Sequence, residues 1–188
     1  PGFARTGQAF FGFARHGIVP DMITMGKPMG NGIPISGLAA KEDVLAAFSD
    51  KLPYFNTFGG NPVSIAAAQA VLKYIKDENL QEHCKKVGAA LLKALKEVQE
   101  RHPESVGDVR GAGLFLGFEF VKNDGNKTPD KDMALNVIEM LRDEHILTSV
   151  IGHYGNILKL RPPMVFSEND IDWFATSLDK CITKLENK

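Results

Sequence analysis

The stretch Asp21-Met-Ile-Thr-Met-Gly-Lys-Pro-Met-Gly-Asn-Gly32 combines a short apolar run with a glycine-rich loop that contains one lysine. The run from Met22 to Met25 predicts a short buried strand that delivers Lys27 to a sheet edge. The glycines leave space around this lysine for another group to come close. Pro28 removes a backbone donor and disfavours helix directly after the lysine, so we expect a stiff loop. A lysine held in this way is typical of a phosphate-binding cation or of a desolvated amine nucleophile.

The phosphate-binding interpretation can be tested on the sequence itself. A P-loop requires Gly-x-x-x-x-Gly-Lys followed by Ser or Thr, with a helix directly after it. Asp21 stands where the first glycine is needed, and Pro28 follows the lysine. A P-loop is therefore excluded, and a surface lysine on a glycine-rich turn is the alternative to a nucleophile.

The composition is that of an ordinary globular protein. Of the 188 residues, 44% are apolar and 24% are charged, with a net charge of −1, which suits one large domain or two small ones. This balance gives no reason to expect nucleic acid or an anionic membrane as a partner, and no apolar run approaches the ~20 residues of a membrane helix. Cys84 and Cys181 have no metal or redox spacing, and the five histidines show no metal spacing with acids. We therefore expect a cytoplasmic protein without a metal site.

Helical periodicity follows the lysine loop. Asn61 and Pro62 are a favourable N-cap and first helical residue, so a helix is predicted from about 62 to 77. The next helix, from about 80 to 101, carries apolar residues at helical spacing, namely Val87, Leu91, Leu92, Leu95 and Val98. The shorter elements predicted before them are a helix over 8–16, a buried strand over 33–40 and a helix over 41–48.

The pattern changes after Pro103, where strands become frequent. The predicted elements are strands at 106–109 and 114–121 with a turn at 110–113, a helix from 130 to 145, strands at 146–150 and 157–160, and a final helix. Ser167 and Asp170 have the spacing of a capping box at the start of that last helix. We place a domain boundary near residue 103, between part of an α/β layer structure and a small α+β domain.

Five stretches together resemble one family. They are Gly2-Phe-Ala-Arg-Thr-Gly7, Thr24-Met-Gly-Lys-Pro-Met-Gly-Asn-Gly32, Phe55-Asn-Thr-Phe-Gly-Gly-Asn-Pro62, Val109-Arg-Gly-Ala-Gly-Leu-Phe-Leu-Gly117 and Leu158-Lys-Leu-Arg-Pro-Pro163. In this order and spacing they resemble the class III (ω-type) pyridoxal-phosphate aminotransferases over the whole chain. Their variants are most similar to the alanine–glyoxylate aminotransferase-2-like branch, which also contains phospho-lyases acting on phosphorylated amino alcohols.

The resemblance implies an α/β fold, the fold type I architecture of pyridoxal-phosphate-dependent transferases. Residues 1–103 would then be the C-terminal part of the cofactor-binding large domain. Residues 104–188 would be the small C-terminal α+β domain. The implied cofactor is pyridoxal 5'-phosphate, and the implied assembly is a homodimer whose active site is shared between subunits.

The resemblance also implies roles for single residues. Lys27 stands where the family's catalytic lysine forms a Schiff base with the cofactor. Thr57 matches the threonine that reaches the cofactor phosphate from the neighbouring subunit, and a plain turn residue is the alternative. Arg161 matches the arginine that holds the substrate carboxylate, and pairing with a neighbouring acid is the alternative. Asn56 would line the same site.

The remaining family arginines, Arg5 and Arg110, are expected to be structural. In the family, the aspartate that pairs with the pyridine nitrogen, the phosphate loop and the aromatic residue stacked on the ring all lie ahead of the position of Pro1. We therefore expect an N-terminally incomplete chain that is inactive when isolated.

Three functions remain open at this point. The leading one is amino-group transfer from an amine or amino acid to a 2-oxo acid. The second is elimination of phosphate from a phosphorylated amino alcohol with the same cofactor. The third is a non-catalytic fragment that dimerises.

Overall fold

The computed structural model describes residues 2–187, which form five α-helices, six strands and two 3-10 helices. The α-helices are α1 (Glu42–Ser49), α2 (Pro62–Asp77), α3 (Leu80–Arg101), α4 (Lys131–Asp143) and α5 (Glu168–Glu186). The strands are β1 (Met22–Met25), β2 (Gly37–Ala40), β3 (Val106–Ala112), β4 (Phe115–Phe120), β5 (Ser149–Ile151) and β6 (Ile157–Leu160). The 3-10 helices are Gly12–His16 and Lys27–Met29.

The strands form two antiparallel sheets. In the smaller one β1 pairs with β2, and Met25 lies opposite Gly37. The larger sheet has the order β3-β4-β6-β5. Its central pair places Leu116 opposite Leu160 and Phe118 opposite Leu158, so apolar side chains from both strands share the face that is buried.

The main core lies between the larger sheet and the helices α3, α4 and α5. Alternate residues of β4 and β6 are buried, and the apolar stripe of α3 packs against them. The largest apolar side chains in this core are fully buried, and they include Leu91, Leu95, Phe118, Leu158 and Leu178. Because each such side chain contributes roughly 1.5–3 kcal/mol on burial, this core is the main stabilising feature of the described residues. The domain boundary near residue 103 stays a prediction.

A smaller apolar cluster supports the segment that carries Lys27. Its buried members are Phe3, Ala4, Ile75 and Leu80, and Met25 and Met29 on either side of the lysine pack against it. The N-terminal segment and α2 therefore provide the apolar contacts that hold the residues on either side of Lys27 in place.

The predicted helix starts are confirmed by their caps. The Asn61 side chain accepts a hydrogen bond from the backbone N–H of Ser64, and Asp130 accepts one from Met133. Ser167 and Asp170 form the reciprocal capping box. These side chains satisfy N–H groups that a helix leaves unpaired at its start.

Several predicted elements have different limits in the structure. The strand expected over 33–40 is restricted to β2, because Pro34 lacks the N–H that a ladder requires. The helix expected over 8–16 is a 3-10 turn, which Gly17 ends in a left-handed conformation with φ 66°. The first strand after Pro103 extends to Ala112, and the hairpin turns at 113–114.

Two predictions about the segment around Lys27 were wrong. A 3-10 turn does follow the strand at Lys27–Met29, because Pro28 lies in its first turn, where no backbone donor is needed. The strands β1 and β2 are not fully buried: Met22 is 48% exposed and Leu38 is 53% exposed. A two-stranded sheet has faces that its own residues cannot cover.

Candidate active site

Lys27 is separated from the end of β1 by Gly26 alone and lies at the wall of an open cavity of about 690 Å³. Gly26 and Gly32 line the same cavity beside it. The lysine is exposed, and no described acid lies within ion-pair distance of its ammonium group. The structure therefore places an unpaired primary amine beside a space large enough for a small-molecule ligand.

The opposite wall is the loop before α2. Asn56 lines the cavity, and its Oδ1 accepts hydrogen bonds from the backbone N–H groups of Phe58 at 3.1 Å and Gly59 at 2.9 Å. Its Nδ2 donates to the Tyr54 hydroxyl at 3.3 Å. Asn56 thus faces the cavity, as expected from the resemblance, and it also determines the shape of the loop.

Thr57 lies on this same loop but is not among the residues that line the Lys27 cavity. Its aromatic neighbours are strongly exposed: Phe55 is 84% and Phe58 is 81% exposed. Thr57 is itself exposed, and Thr57 and Lys27 do not share a cavity within this chain.

Ser64 connects the two walls, a role that the sequence did not reveal. It is buried in the first turn of α2, and its hydroxyl donates to the carbonyl of Pro34 at 3.0 Å. The Asn61 side chain caps the helix at Ser64 and also donates to the carbonyl of Phe58. The position of Ser64 in the first helical turn was visible in the sequence, but its partner 30 residues earlier was not.

Arg161 follows β6 and lines a second cavity of about 500 Å³, which does not include Lys27. Lys159, His145 and Trp173 line this cavity as well. No acid within residues 2–187 lies within ion-pair distance of Arg161, so the alternative of a structural ion pair is not supported there. The structure does not bring Lys27 and Arg161 to one cavity.

Arg5 and Arg110 both bind groups of the protein itself, as the sequence predicts. Arg5 donates to the carbonyls of Pro162 at 2.5 Å and Leu114 at 3.3 Å. Burial lowers the pKa of Arg5, and the charge of Arg161 lowers it further. Arg110 pairs with Glu119 and Asp108, each at 2.6 Å, and these hydrogen bonds raise its pKa.

The described residues contain neither a membrane-spanning helix nor a metal-binding cluster. None of their helices combines the length and the apolarity that crossing a bilayer requires. They also contain no group of three metal-ligating side chains placed to hold an ion.

Comparison with known proteins gives a consistent result. The family model for class-III aminotransferases matches residues 1–182. The chain is 43% identical to ethanolamine-phosphate phospho-lyase homolog 1 of Caenorhabditis elegans over 97% of the chain and 39% of that protein. It is 39% identical to the mitochondrial alanine–glyoxylate aminotransferase 2 homolog 2 of Arabidopsis thaliana, over 98% of the chain and 38% of that protein.

Solved structures agree with these matches. A phospholyase from Arthrobacter, in complex with phosphoethanolamine, superposes with a TM-score of 0.93 at 38% identity, covering 97% of this chain and 43% of that one. A Bacillus anthracis aminotransferase superposes with a TM-score of 0.87 at 36% identity, covering 97% and 43%. The chain spans about two fifths of the length of the relatives it matches.

Proposed function

The chain belongs to the class-III aminotransferase family, and from this premise we propose that it supplies the catalytic lysine, Lys27, of an amino-group transfer enzyme. The family implies pyridoxal 5'-phosphate as cofactor, and the likeness to a solved phospholyase and a solved aminotransferase confirms the predicted α/β architecture of fold type I. The proposed reaction passes an amino group from an amine or amino acid to a 2-oxo acid.

The observation that carries this proposal is the surroundings of Lys27. A primary amine is the group that an aldehyde cofactor requires, and this one stands at a cavity of about 690 Å³ without an acidic partner among the described residues. The absence of a paired carboxylate leaves Nζ accessible to a carbonyl group in the cavity, and a primary amine forms a Schiff base with an aldehyde. The residues present therefore fit the cofactor.

Each residue then has a defined task. Bound pyridoxal 5'-phosphate supplies the electron sink for bonds broken at the amine-bearing carbon of the substrate. Lys27 holds the cofactor through Nζ and, when free, moves the proton at that carbon. Arg161 offers a planar fork of donors, which suits a substrate carboxylate.

Thr57 is proposed to act in a neighbouring subunit. Its loop forms a wall of the Lys27 cavity, but Thr57 is not among the residues that line that cavity. The exposed aromatic residues of the loop are apolar surface of the kind that a subunit interface buries. We therefore propose a homodimer in which the Thr57 hydroxyl binds the cofactor phosphate of the partner, together with backbone N–H groups of the loop.

Borohydride reduction in the presence of pyridoxal 5'-phosphate, followed by peptide mass mapping, tests the role of Lys27. A pyridoxyl adduct confined to Lys27 is expected in the intact protein, and it should be absent from the Lys27→Ala variant. Lys41, which pairs with Asp21 at 2.6 Å, is the internal control and should remain unlabelled. Adducts spread over many lysines would contradict the proposal.

Phosphate elimination from a phosphorylated amino alcohol is the second candidate function. It is favoured by the phospho-lyase name of the 43% identical relative and by the TM-score of 0.93 to the Arthrobacter phospholyase. Incubation with phosphoethanolamine in the absence of a 2-oxo acid separates the two functions. Release of inorganic phosphate supports elimination, whereas conversion only after addition of a 2-oxo acid supports transfer.

A further inference from the structure

Arg5 joins two segments that are far from it in sequence, the turn of the β3–β4 hairpin and the residues after β6. Its Nη1 donates to the carbonyl of Pro162, the residue directly after Arg161, and to the carbonyl of Leu114. The backbone carbonyl of Arg5 in turn accepts a hydrogen bond from the N–H of Leu114 at 3.0 Å. Leu114 therefore binds both the backbone and the side chain of Arg5, which fixes the guanidinium group relative to Pro162.

The segment that carries Arg161 has few backbone donors of its own. The ladder of β6 ends at Leu160, which pairs with Leu116. The two residues after Arg161 are prolines, which lack an N–H and restrict the residue before them to extended conformations. Arg161 is therefore held by the strand on one side and by the hydrogen bond from Arg5 to the Pro162 carbonyl on the other.

The backbone before Arg5 is rigid as well. Phe3 and Ala4 are buried, and both have left-handed conformations, with φ 55° and 64°. Non-glycine residues adopt this region only where the surrounding structure compels them to. A Cβ on Gly113 would meet the carbonyl oxygen of Arg5 at 2.4 Å, so the hairpin turn packs directly on the backbone of Arg5. This packing places Arg5 before any ligand binds.

Arg5 and Arg161 are two neighbouring cations. Within residues 2–187, no carboxylate lies within ion-pair distance of either. Burial lowers the pKa of Arg5 and the charge of Arg161 lowers it further, although Cys84 acts in the opposite direction. Arg161 is exposed and lines the cavity of about 500 Å³, whereas Arg5 is not among the residues that line it. Repulsion between like charges therefore disfavours a conformation in which Arg161 folds back from the cavity toward Arg5.

We propose that Arg5 is a positioning residue: its hydrogen bond to the Pro162 carbonyl sets the direction in which Arg161 presents its donors to a carboxylate in the cavity. This role rests on the proposed function, in which Arg161 binds the substrate carboxylate. Arg5 acts through Arg161 and does not touch the substrate. Its loss should weaken the binding of carboxylates and leave the reaction at Lys27 unchanged.

Protection of Arg161 from phenylglyoxal tests this role without turnover. The reagent modifies exposed arginines, and peptide mass mapping of the intact protein follows Arg161 while pyruvate is titrated as the carboxylate probe. We expect the pyruvate concentration that gives half protection to rise roughly 3- to 10-fold in Arg5→Met, about the effect of one hydrogen bond. Arg110→Met is the matched control. Arg110 binds Asp108 and Glu119 instead, so this variant should leave half protection unchanged.

Arg5→Lys keeps the proposal falsifiable if far-UV circular dichroism shows that Arg5→Met does not fold. Lysine retains the charge, but it lacks the planar fork that reaches two carbonyls, so half protection should still require roughly 3-fold more pyruvate. Half protection at the wild-type concentration in a folded variant would overturn the proposal. Failure of pyruvate to protect Arg161 in the wild-type protein would overturn it as well.

Steady-state kinetics separate positioning from a general structural role. In the Arg5 variant, KM for L-alanine should rise roughly 3- to 10-fold while kcat stays unchanged, and KM for isopropylamine, which has no carboxylate, should not change. An equal rise for both amines would contradict the role of Arg5. The borohydride adduct at Lys27 is measured alongside. Its absence from the wild-type protein refutes the proposed function, whereas equal half protections with the adduct present refute the role of Arg5 alone.

Discussion

The contact between Gly88 and Gly113 allows a sharp test of the packing between α3 and the β3–β4 hairpin. Gly88 is buried within α3, and a Cβ built on it would approach the Cα, C and O atoms of Gly113 more closely than real Cβ atoms do. Gly113 has φ 52°, and a Cβ there would in turn meet the backbone of Arg5 and Thr6. The turn of the β3–β4 hairpin at Gly113 is thus packed between α3 on one side and the N-terminal segment on the other.

Two effects of opposite sign determine the result of Gly88→Ala. Alanine gains ~1 kcal/mol of helix propensity over glycine inside a helix. Overpacking costs ~1–3 kcal/mol, and the upper part of that range applies because the atoms in the way are backbone and cannot change rotamer. The cost of overpacking therefore exceeds the gain in helix propensity, and we expect the free energy of unfolding to fall by about 1–2 kcal/mol.

Urea unfolding followed by far-UV circular dichroism measures this change. Ala89→Gly is the matched control, since Ala89 is exposed at the next position of the same helix and should lose ~1 kcal/mol through propensity alone. A Gly88→Ala protein that is more stable than wild type would refute the close approach of Gly88 to Gly113.

Further predictions concern the site and the last helix. Lys27→Arg should abolish the pyridoxyl adduct while leaving the unfolding midpoint unchanged, because the lysine is exposed and unpaired; an adduct that persists would contradict its role. Arg161→Gln should raise KM for carboxylated amines on the order of tenfold or more, the loss of a charged hydrogen bond, while KM for amines without a carboxylate stays unchanged; equal changes for both would argue against carboxylate binding. Hydrogen bonds from Ser167 lower the pKa of Asp170, so its stabilising effect is present above the ordinary Asp pKa and is lost as pH falls through the lowered value. Asp170→Asn should remove this acid-side slope from the pH dependence of Tm, and an unchanged slope would exclude the capping box as its source.

Local signals in the sequence predicted the five α-helices closely. Asn61 followed by Pro62 determines the start of α2 through side-chain and backbone chemistry within four residues, and Ser167 acts in the same way at α5. The limits of strands were harder to predict, because a strand ends where its partner ends. Nothing near Ala112 shows that it pairs with Phe115 across the tight turn.

The roles of Lys27, Thr57 and Arg161 stay predictions, and their arrangement could not be predicted from the sequence. The motif around Lys27 is local, and the resemblance assigns it directly. The contacts from Ser64 to Pro34 and from Arg5 to Pro162 depend on residues far apart in sequence, so no motif contains them. For the same reason, the separate cavities of Lys27 and Arg161 could be learned only from the fold.

A packed path nevertheless connects these two cavities. Met164, three residues after Arg161, contacts both the main core and the small cluster that includes Met25 and Met29 beside Lys27. Arg5 fixes the same segment by donating to the Pro162 carbonyl, and its own carbonyl accepts from the N–H of Leu114. Because packed side chains and buried hydrogen bonds resist displacement, Lys27 and Arg161 belong to one framework although they line different spaces.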